Sequence, residues 1–196
     1  MDKELKLQEK KKQILDALKR LLEKNVYSQI SIEDVAQEAG FSKGGLRHYF
    51  PTKEELYTEL IEDFFNQIEK DNIGVMKGLD HNDKAFISTL FGIERFLLDK
   101  KNIRIFINII LYGFEDEKIM AIIQKFIRNH LNMYEDIIIN NRDDKDVSQE
   151  DIQLIGRTTQ IILLCAGLFE SIDPIRMETP LLIEYILQLF RMKRIS

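Results

Sequence analysis

Residues 31–60, SIEDVAQEAGFSKGGLRHYFPTKEELYTEL, decide the fold of this chain because they hold three helix starts in close succession. Ser31-Ile32-Glu33-Asp34 resembles a capping box with Asp in place of the usual Glu. The short helix it opens carries Ile32, Val35, Ala36 and Ala39 inward, and Gly40 stands where the chain must leave the helix with a positive φ. Ser42 caps a second short helix to about Tyr49, which Pro51 ends. Thr52-Lys53-Glu54-Glu55 is a cleaner capping box and opens a long helix through Leu56, Leu60, Phe64 and Ile68. Small Ala36 at a crossing, Gly40 at a turn, and Phe41 and Leu46 in the wedge have the spacing of a helix-turn-helix. The second helix of such a unit can lie in the DNA major groove with its first residues at base edges. Here those are Ser42, Lys43, Gly44 and Gly45. Two glycines inside a helix cost roughly 1 kcal/mol each relative to alanine. That cost is tolerable where the backbone must come close to another backbone, DNA for example. The alternative is that Gly44-Gly45 belongs to a loose turn.

The rest of the chain continues in the same period. Ile14, Leu18, Leu21 and Leu22 form one stripe before the motif. After it, residues 71–83 read as a polar connector with two glycines. Helical patterning returns over Lys84–Lys100, Ile103–Tyr112, Asp116–Asn141, from Ser148 to about Ser171, and from Thr179-Pro180 onward. The expected fold is all-α, with about nine helices and no strand. Among 196 residues there are only 9 glycines and 3 prolines, too little punctuation for a sandwich or barrel of short strands. Cys165 is the single cysteine, which excludes an intramolecular disulfide and fits a reducing compartment. The longest apolar run, Ile161 to Phe169, is nine residues, short of the roughly 18 that span a bilayer. The N-terminus is charged and has no signal-peptide h-region. A soluble, cytoplasmic protein with no membrane association is expected.

Charge is divided along the chain. Residues 1–53 hold eleven Lys and Arg against eight Asp and Glu, a net of +3. Residues 54–196 hold seventeen against twenty-five, a net of −8. A basic head on an acidic body is what results when only the head meets a polyanion.

Residues 31–60 resemble the DNA-binding signature of the tetracycline-repressor (TetR) family. The matching residues are Ala39-Gly40, Ser42-Lys43-Gly44, Leu46, His48-Tyr49-Phe50 and Lys53-Glu54-Glu55-Leu56. The strong resemblance runs from Ile14 to Leu60, and one departure is Arg47, where the family often has Tyr. The resemblance implies a helix-turn-helix DNA-binding domain over 1–53, and a helical effector-binding and dimerisation domain over 54–196. It implies DNA contacts at Ser31, Ser42, Lys43, Gly44, Gly45, Arg47, His48, Tyr49 and Lys53. An arginine at position 47 can read guanine bidentately or hold a phosphate, and His48 and Tyr49 either touch phosphate or brace the recognition helix. The function implied is a ligand-responsive regulator, a repressor, that binds a pseudo-palindromic double-stranded operator as a homodimer and is released by a small apolar or aromatic effector. The alternative is a helical carrier of small molecules with a vestigial helix-turn-helix.

For the body, the apolar character of residues 149–171 and 179–194 on more than one face points to a dimer interface through Ile155, Ile162, Ala166, Phe169, Leu182, Ile186 and Leu189. Gly156, Ala166 and Gly167 would let a partner helix approach closely, the alternative being burial within one subunit. An aromatic-rich middle offers Phe65, Phe91, Glu94, Phe106, Phe126, His130 and Tyr134 as effector contacts, with Asn108 a weaker candidate. His130, on an apolar helix face, is either a ligand contact or a satisfied core residue. No phosphate loop, metal-ligand spacing or catalytic set is present, so no catalytic residue, metal, cofactor or enzyme activity is expected.

Overall fold

A computed structural model describes residues 2–78, 99–140 and 148–172, with positions 178, 181, 182, 184, 185 and 188. Among them are seven α-helices, one 3-10 turn and no strand. The helices are α1 (Asp2–Leu22), α2 (Ile32–Ala39), α3 (Lys43–Tyr49), α4 (Lys53–Met76), α5 (Lys100–Gly113), α6 (Glu117–Asn140) and α7 (Gln149–Ile172). The 3-10 turn, Tyr27–Gln29, links α1 to α2. The two further helices expected from sequence, over Lys84–Lys100 and 179–194, lie outside the described residues except for isolated positions. The chain divides into two compact units, Met1–Gln67 with Arg104–Ile123, and Ile68–Ile103 with Gln124–Ser196.

In the first unit, α1 buries Ile14, Leu15, Ala17, Leu18 and Leu22. These meet the inward sides of α2 (Ile32, Val35, Ala36, Ala39), α3 (Leu46) and α4 (Leu56, Tyr57, Leu60, Ile61). Full burial of each such aliphatic side chain stabilises by about 1.5–3 kcal/mol, so this cluster holds the head together. Ion pairs lie around it: Lys11–Glu59 at 2.7 Å, Lys19–Asp63 at 2.7 Å and Arg20–Glu38 at 2.6 Å. Partly exposed pairs contribute only about 0–1 kcal/mol each, and they orient α1 on α4 and α2 more than they stabilise. Gln13 Nε2 donates to the Ala39 carbonyl at 2.9 Å, which satisfies an acceptor that the end of α2 leaves open.

Helix α5 clamps the same unit at the loop after α1. The buried Asn108 side chain accepts the Tyr27 backbone N–H at 3.0 Å. Its own amide donates to the Arg104 carbonyl at 3.0 Å, one turn back. The Arg104 guanidinium donates to the Lys24 carbonyl at 2.9 Å. Next to these bonds Tyr27 stacks on Tyr57 with ring centroids 3.7 Å apart, and Tyr112 packs at 4.7 Å from Tyr27 and 5.1 Å from Tyr57. Burial pushes the Tyr27 and Tyr57 phenols well above their ordinary pKa, so both stay neutral. Asn108 therefore serves as a backbone clamp, not as the ligand contact weighed from sequence.

The second unit contains the last turns of α4. The sequence marks residues 71–83 as a connector, but α4 runs on to Met76 and the chain turns at Gly78, with φ 83°. Burial of Asn72 and partial burial of Met76, along the side that carries Phe64 and Ile68, outweigh the roughly 1 kcal/mol cost of Gly74 inside a helix. Helix α7 lies tightly on α6, since a Cβ on Gly156 would stand 3.2 Å from Leu131 Cδ1 and 3.7 Å from Tyr134 Cβ. Gln160 Nε2 seals the contact with a 2.9 Å bond to the Ile127 carbonyl. The inner face of α7 buries Ile152, Gly156, Thr159, Leu163, Ala166 and Gly167. Its outer face leaves Leu154 (65%), Ile161 (55%), Leu168 (41%), Phe169 (53%) and Ile172 (68%) exposed. Over Gln149–Phe169 this helix is long and apolar enough to cross a membrane by length and composition.

Candidate nucleic-acid interface

Local chemistry fixes the helix-turn-helix. Ser31 Oγ accepts the Asp34 N–H at 3.1 Å, and Asp34 Oδ2 accepts the Ser31 N–H at 2.8 Å, closing the capping box in both directions. The Ser31 hydroxyl, which also donates to Asp34 Oδ2 at 2.7 Å, and the Ser31 N–H together hold the exposed Asp34 carboxyl below its ordinary pKa. Gly40 adopts φ 74°, a left-handed conformation open to glycine at little cost. Phe41 N–H then donates to the Ala36 carbonyl at 2.8 Å and turns the chain toward α3. Ser42 Oγ accepts the Gly45 N–H at 3.0 Å, so α3 starts on a proper cap.

Helix α3 is regular from Lys43 to Tyr49, which removes the loose-turn alternative for Gly44-Gly45. At 100° per residue its positions separate cleanly. Leu46 is buried, and Tyr49 is half-buried and meets Phe41 edge-on at 5.7 Å. Lys43, Gly44, Arg47 and His48 share the opposite side and are all exposed. The two glycines differ. A Cβ on Gly45 would press on Ser42 Oγ at 3.1 Å, so Gly45 makes room for the cap. A Cβ on Gly44 would meet nothing within 4 Å. Nothing inside the protein explains the missing side chain at Gly44, and it leaves bare backbone on the exposed face, beside Arg47 and His48.

The electrostatics of this face are poised. Lys43 Nζ donates to Glu33 Oε1 at the start of α2, and this bond, reinforced by the charges of Lys43 and Arg47, holds the Glu33 carboxyl below its ordinary range. A polyanion would have to displace Glu33 to take Lys43. Lys53 is placed differently. Its ammonium donates to the Tyr27 carbonyl at 2.8 Å and sits 4.0 Å from the Tyr27 ring centroid, and burial lowers its pKa. It fastens the start of α4 to the 3-10 turn. The expected DNA contacts are thus gathered on one head, with Lys43, Gly44, Arg47 and His48 outward, Ser31 and Ser42 committed to caps, Tyr49 bracing, and Lys53 half-buried.

The expected effector residues are not brought together in the same way. Phe65 and Phe106 pair edge-on at 6.3 Å in the first unit. Phe126, His130 and Tyr134 follow one another along α6 in the second unit. Phe91 and Glu94 lie outside the described residues. His130 is half-buried against Phe126, with ring centroids 4.2 Å apart, and its Nδ1–H donates to the Phe126 carbonyl at 3.1 Å. Desolvation lowers its pKa, partly offset by that bond and by the charge of Glu69. It lines a cavity of about 250 Å³ with Glu69, Asn72, Ile73, Met76, Asn129 and Met133. Of these, His130 alone is a candidate from sequence. The missed signal was periodic: Leu56, Leu60, Phe64, Ile68, Asn72 and Met76 fall four apart, and an Asn on an apolar stripe marks a buried polar group.

Of the expected dimer residues, Phe169 is on the open face of α7, Ile155 and Ile162 are half-buried at its margins, and Ala166 faces inward. Leu182 is half-buried, and Ile186 and Leu189 lie outside the described residues. Cys165 is exposed on the outer face. Among the described residues no group of His, Cys, Asp and Glu could hold a metal ion.

The model of the bacterial regulatory proteins of the tetR family matches residues 14–60. The HTH-type transcriptional regulator CymR of Pseudomonas putida is 28% identical over 142 residues, covering 72% of this chain and 69% of that protein. Against three further curated regulators the matched segment spans about a quarter to a half of their length. Among solved structures, a TetR transcription regulator from Haloarcula marismortui superposes with a TM-score of 0.81 at 14% identity, covering 93% of this chain and 96% of that one. A transcriptional regulator from Saccharomonospora viridis in complex with choline gives a TM-score of 0.80 at 13% identity, covering 92% and 95%. At such identities the superpositions establish the shared fold.

Proposed function

We propose that this chain, which belongs to the TetR family of bacterial transcriptional regulators, is a ligand-responsive repressor that grips a pseudo-palindromic operator as a dimer. The observation that carries the proposal is the outward face of α3. It offers two cations, a bare backbone position and an imidazole side by side, on a helix capped by Ser42 and braced by Leu46 and Tyr49. A rigid helix so furnished can lie in a major groove with Arg47 on a guanine or a phosphate. A carrier of small molecules would need none of this, so the open basic face favours the regulator over the carrier.

Dimerisation is assigned to the outer face of α7. Exposed apolar side chains aligned over four turns make a patch of a kind that soluble monomers seldom leave open, and Leu181 and Tyr185, also exposed, extend it in sequence. A two-fold axis there would set two recognition helices about 34–36 Å apart, or a multiple, on a duplex near B-form. Effector binding is assigned to the second unit. Helix α4 runs from Lys53 in the head to Met76 at the cavity, so a ligand that shifts its end biases the head at its start. Ligand and operator then weaken each other by the same factor, about 1–3 kcal/mol for typical coupling. Such a regulator works in the cytoplasm.

Capture of fragments from the source genome on the purified protein tests this reading. The expected result is enrichment of fragments sharing one inverted repeat, protected over both halves. Enrichment that tracks fragment length and no sequence would contradict it.

A further inference from the structure

We propose that the cavity between the end of α4 and the middle of α6 is built for an organic ammonium, a small molecule with an apolar body and a protonated amine. The proposal rests on the reading of the second unit as effector-binding and goes beyond it in naming the ligand's chemistry. Asn72 is 5% exposed, and its Oδ1 has no hydrogen-bond partner. Its amide nitrogen is already committed to Met133 Sδ at 3.1 Å, so what remains toward a ligand is an acceptor. A buried acceptor without a donor is costly, and a native structure keeps one for a reason.

The other polar groups of the cavity lean the same way. Glu69 brings a half-buried carboxylate whose Oε1 takes one bond from Asn129 at 2.9 Å, leaving further lone pairs. His130 gives its Nδ1 proton to the Phe126 carbonyl, and burial favours the neutral ring, so Nε2 is an acceptor. Among the described residues, no lysine or arginine lines the cavity. The remaining wall is Ile73, Met76 and Met133, apolar and polarisable. A carboxylate ligand would face Glu69 and lone pairs alone. An alcohol could satisfy Asn72 but would leave Glu69 without a counter-charge. An ammonium group supplies both the donors and the charge. The volume of about 250 Å³ falls just under the roughly 300–1,000 Å³ of sites for drug-sized ligands, which limits the body to one ring or a short chain.

Calorimetric titration of the full-length protein with three probes of matched shape tests this: cyclohexylmethylamine, cyclohexylmethanol and cyclohexanecarboxylate. The amine is expected to bind about tenfold or more tighter than the alcohol, the gain of a charge-assisted bond, with no binding by the carboxylate. Glu69→Gln, which keeps the shape, should reduce that preference to about threefold or less. Its ligand-free melting temperature should not change. Alcohol or carboxylate binding as tight as the amine overturns the ammonium assignment and leaves the effector reading standing. An amine preference that survives Glu69→Gln also overturns it, as does no binding of any probe up to about 10 mM. An amine that binds as expected yet leaves operator affinity unchanged upholds the site and overturns the effector reading.

Discussion

Asn108→Leu tests how the head is held. The substitution keeps the branched shape of the side chain but removes the acceptor that takes the Tyr27 N–H at 3.0 Å. Tyr27 is 8% exposed and Asn108 5% exposed, so no water replaces the lost partner. Leaving one buried backbone donor unsatisfied costs about 1–3 kcal/mol. The bond from Asn108 to the Arg104 carbonyl is also lost, but that carbonyl belongs to a helix and keeps its ladder, which adds little. Each kcal/mol moves the melting temperature of a chain of this size by about 2–4 °C, so a fall of about 2–12 °C is expected. Calorimetry or thermal denaturation followed by circular dichroism measures it. Leu111→Ala, three residues on and exposed, is the control, with an expected change within about 0.5 kcal/mol. Equal melting temperatures for Asn108→Leu and the parent would refute the clamp and restore Asn108 as a free polar group of the body.

Glu33→Gln removes the carboxylate that holds Lys43 in the absence of DNA, so affinity for any duplex should rise a few-fold in a fluorescence titration; weaker binding would mean that Glu33 positions Lys43 productively. Ile161→Glu places a charge in the middle of the exposed face of α7, and sedimentation should show monomers where the parent sediments as a dimer; a dimer in both would move the interface elsewhere. His130 titrates below its ordinary value in the folded chain, so the unfolded state binds more protons in that window, and stability should fall as pH drops below about 6.5. In urea denaturation at pH 7 and pH 5.5, His130→Gln should show a smaller loss over that interval; an identical loss would place the proton uptake on another group.

The head was legible because its signals are local. Ser31, Gly40, Ser42 and Pro51 each act through backbone geometry within four residues, and the structure places cap, turn, cap and stop at those positions. The seven described helices were legible from their periodicity for the same reason. The end of α4 was not, because Gly74 and the polar residues 70–72 mimic a connector, and only burial of Asn72 against α6 keeps the helix going. The cavity was harder still. Phe65, Phe106 and Phe126 share an aromatic character that the sequence cannot sort into units, while the polar lining comes from Glu69, Asn72 and Asn129, which look like surface residues until two helices face each other. The sequence marks Gly156 as a point where a partner helix approaches, but the helix that approaches it is α6 of the same chain. The outer face of α7 shows itself in Leu154, Ile161 and Leu168, which periodicity alone could not separate from the inner Leu163 and Ala166.

The direct test of the central claim, that the outward face of α3 meets DNA through its bare backbone, is Gly44→Ala. A Cβ at this position meets nothing within 4 Å, and alanine favours a helix over glycine by about 1 kcal/mol, so the melting temperature should hold or rise. A methyl group pressed into a packed contact with DNA costs about 1–3 kcal/mol, so operator affinity should fall about tenfold or more. A variant at least as stable as the parent that binds the operator tenfold more weakly is the predicted result. A variant with undiminished operator affinity would contradict the account, because the recognition helix would then not bring Gly44 to the DNA.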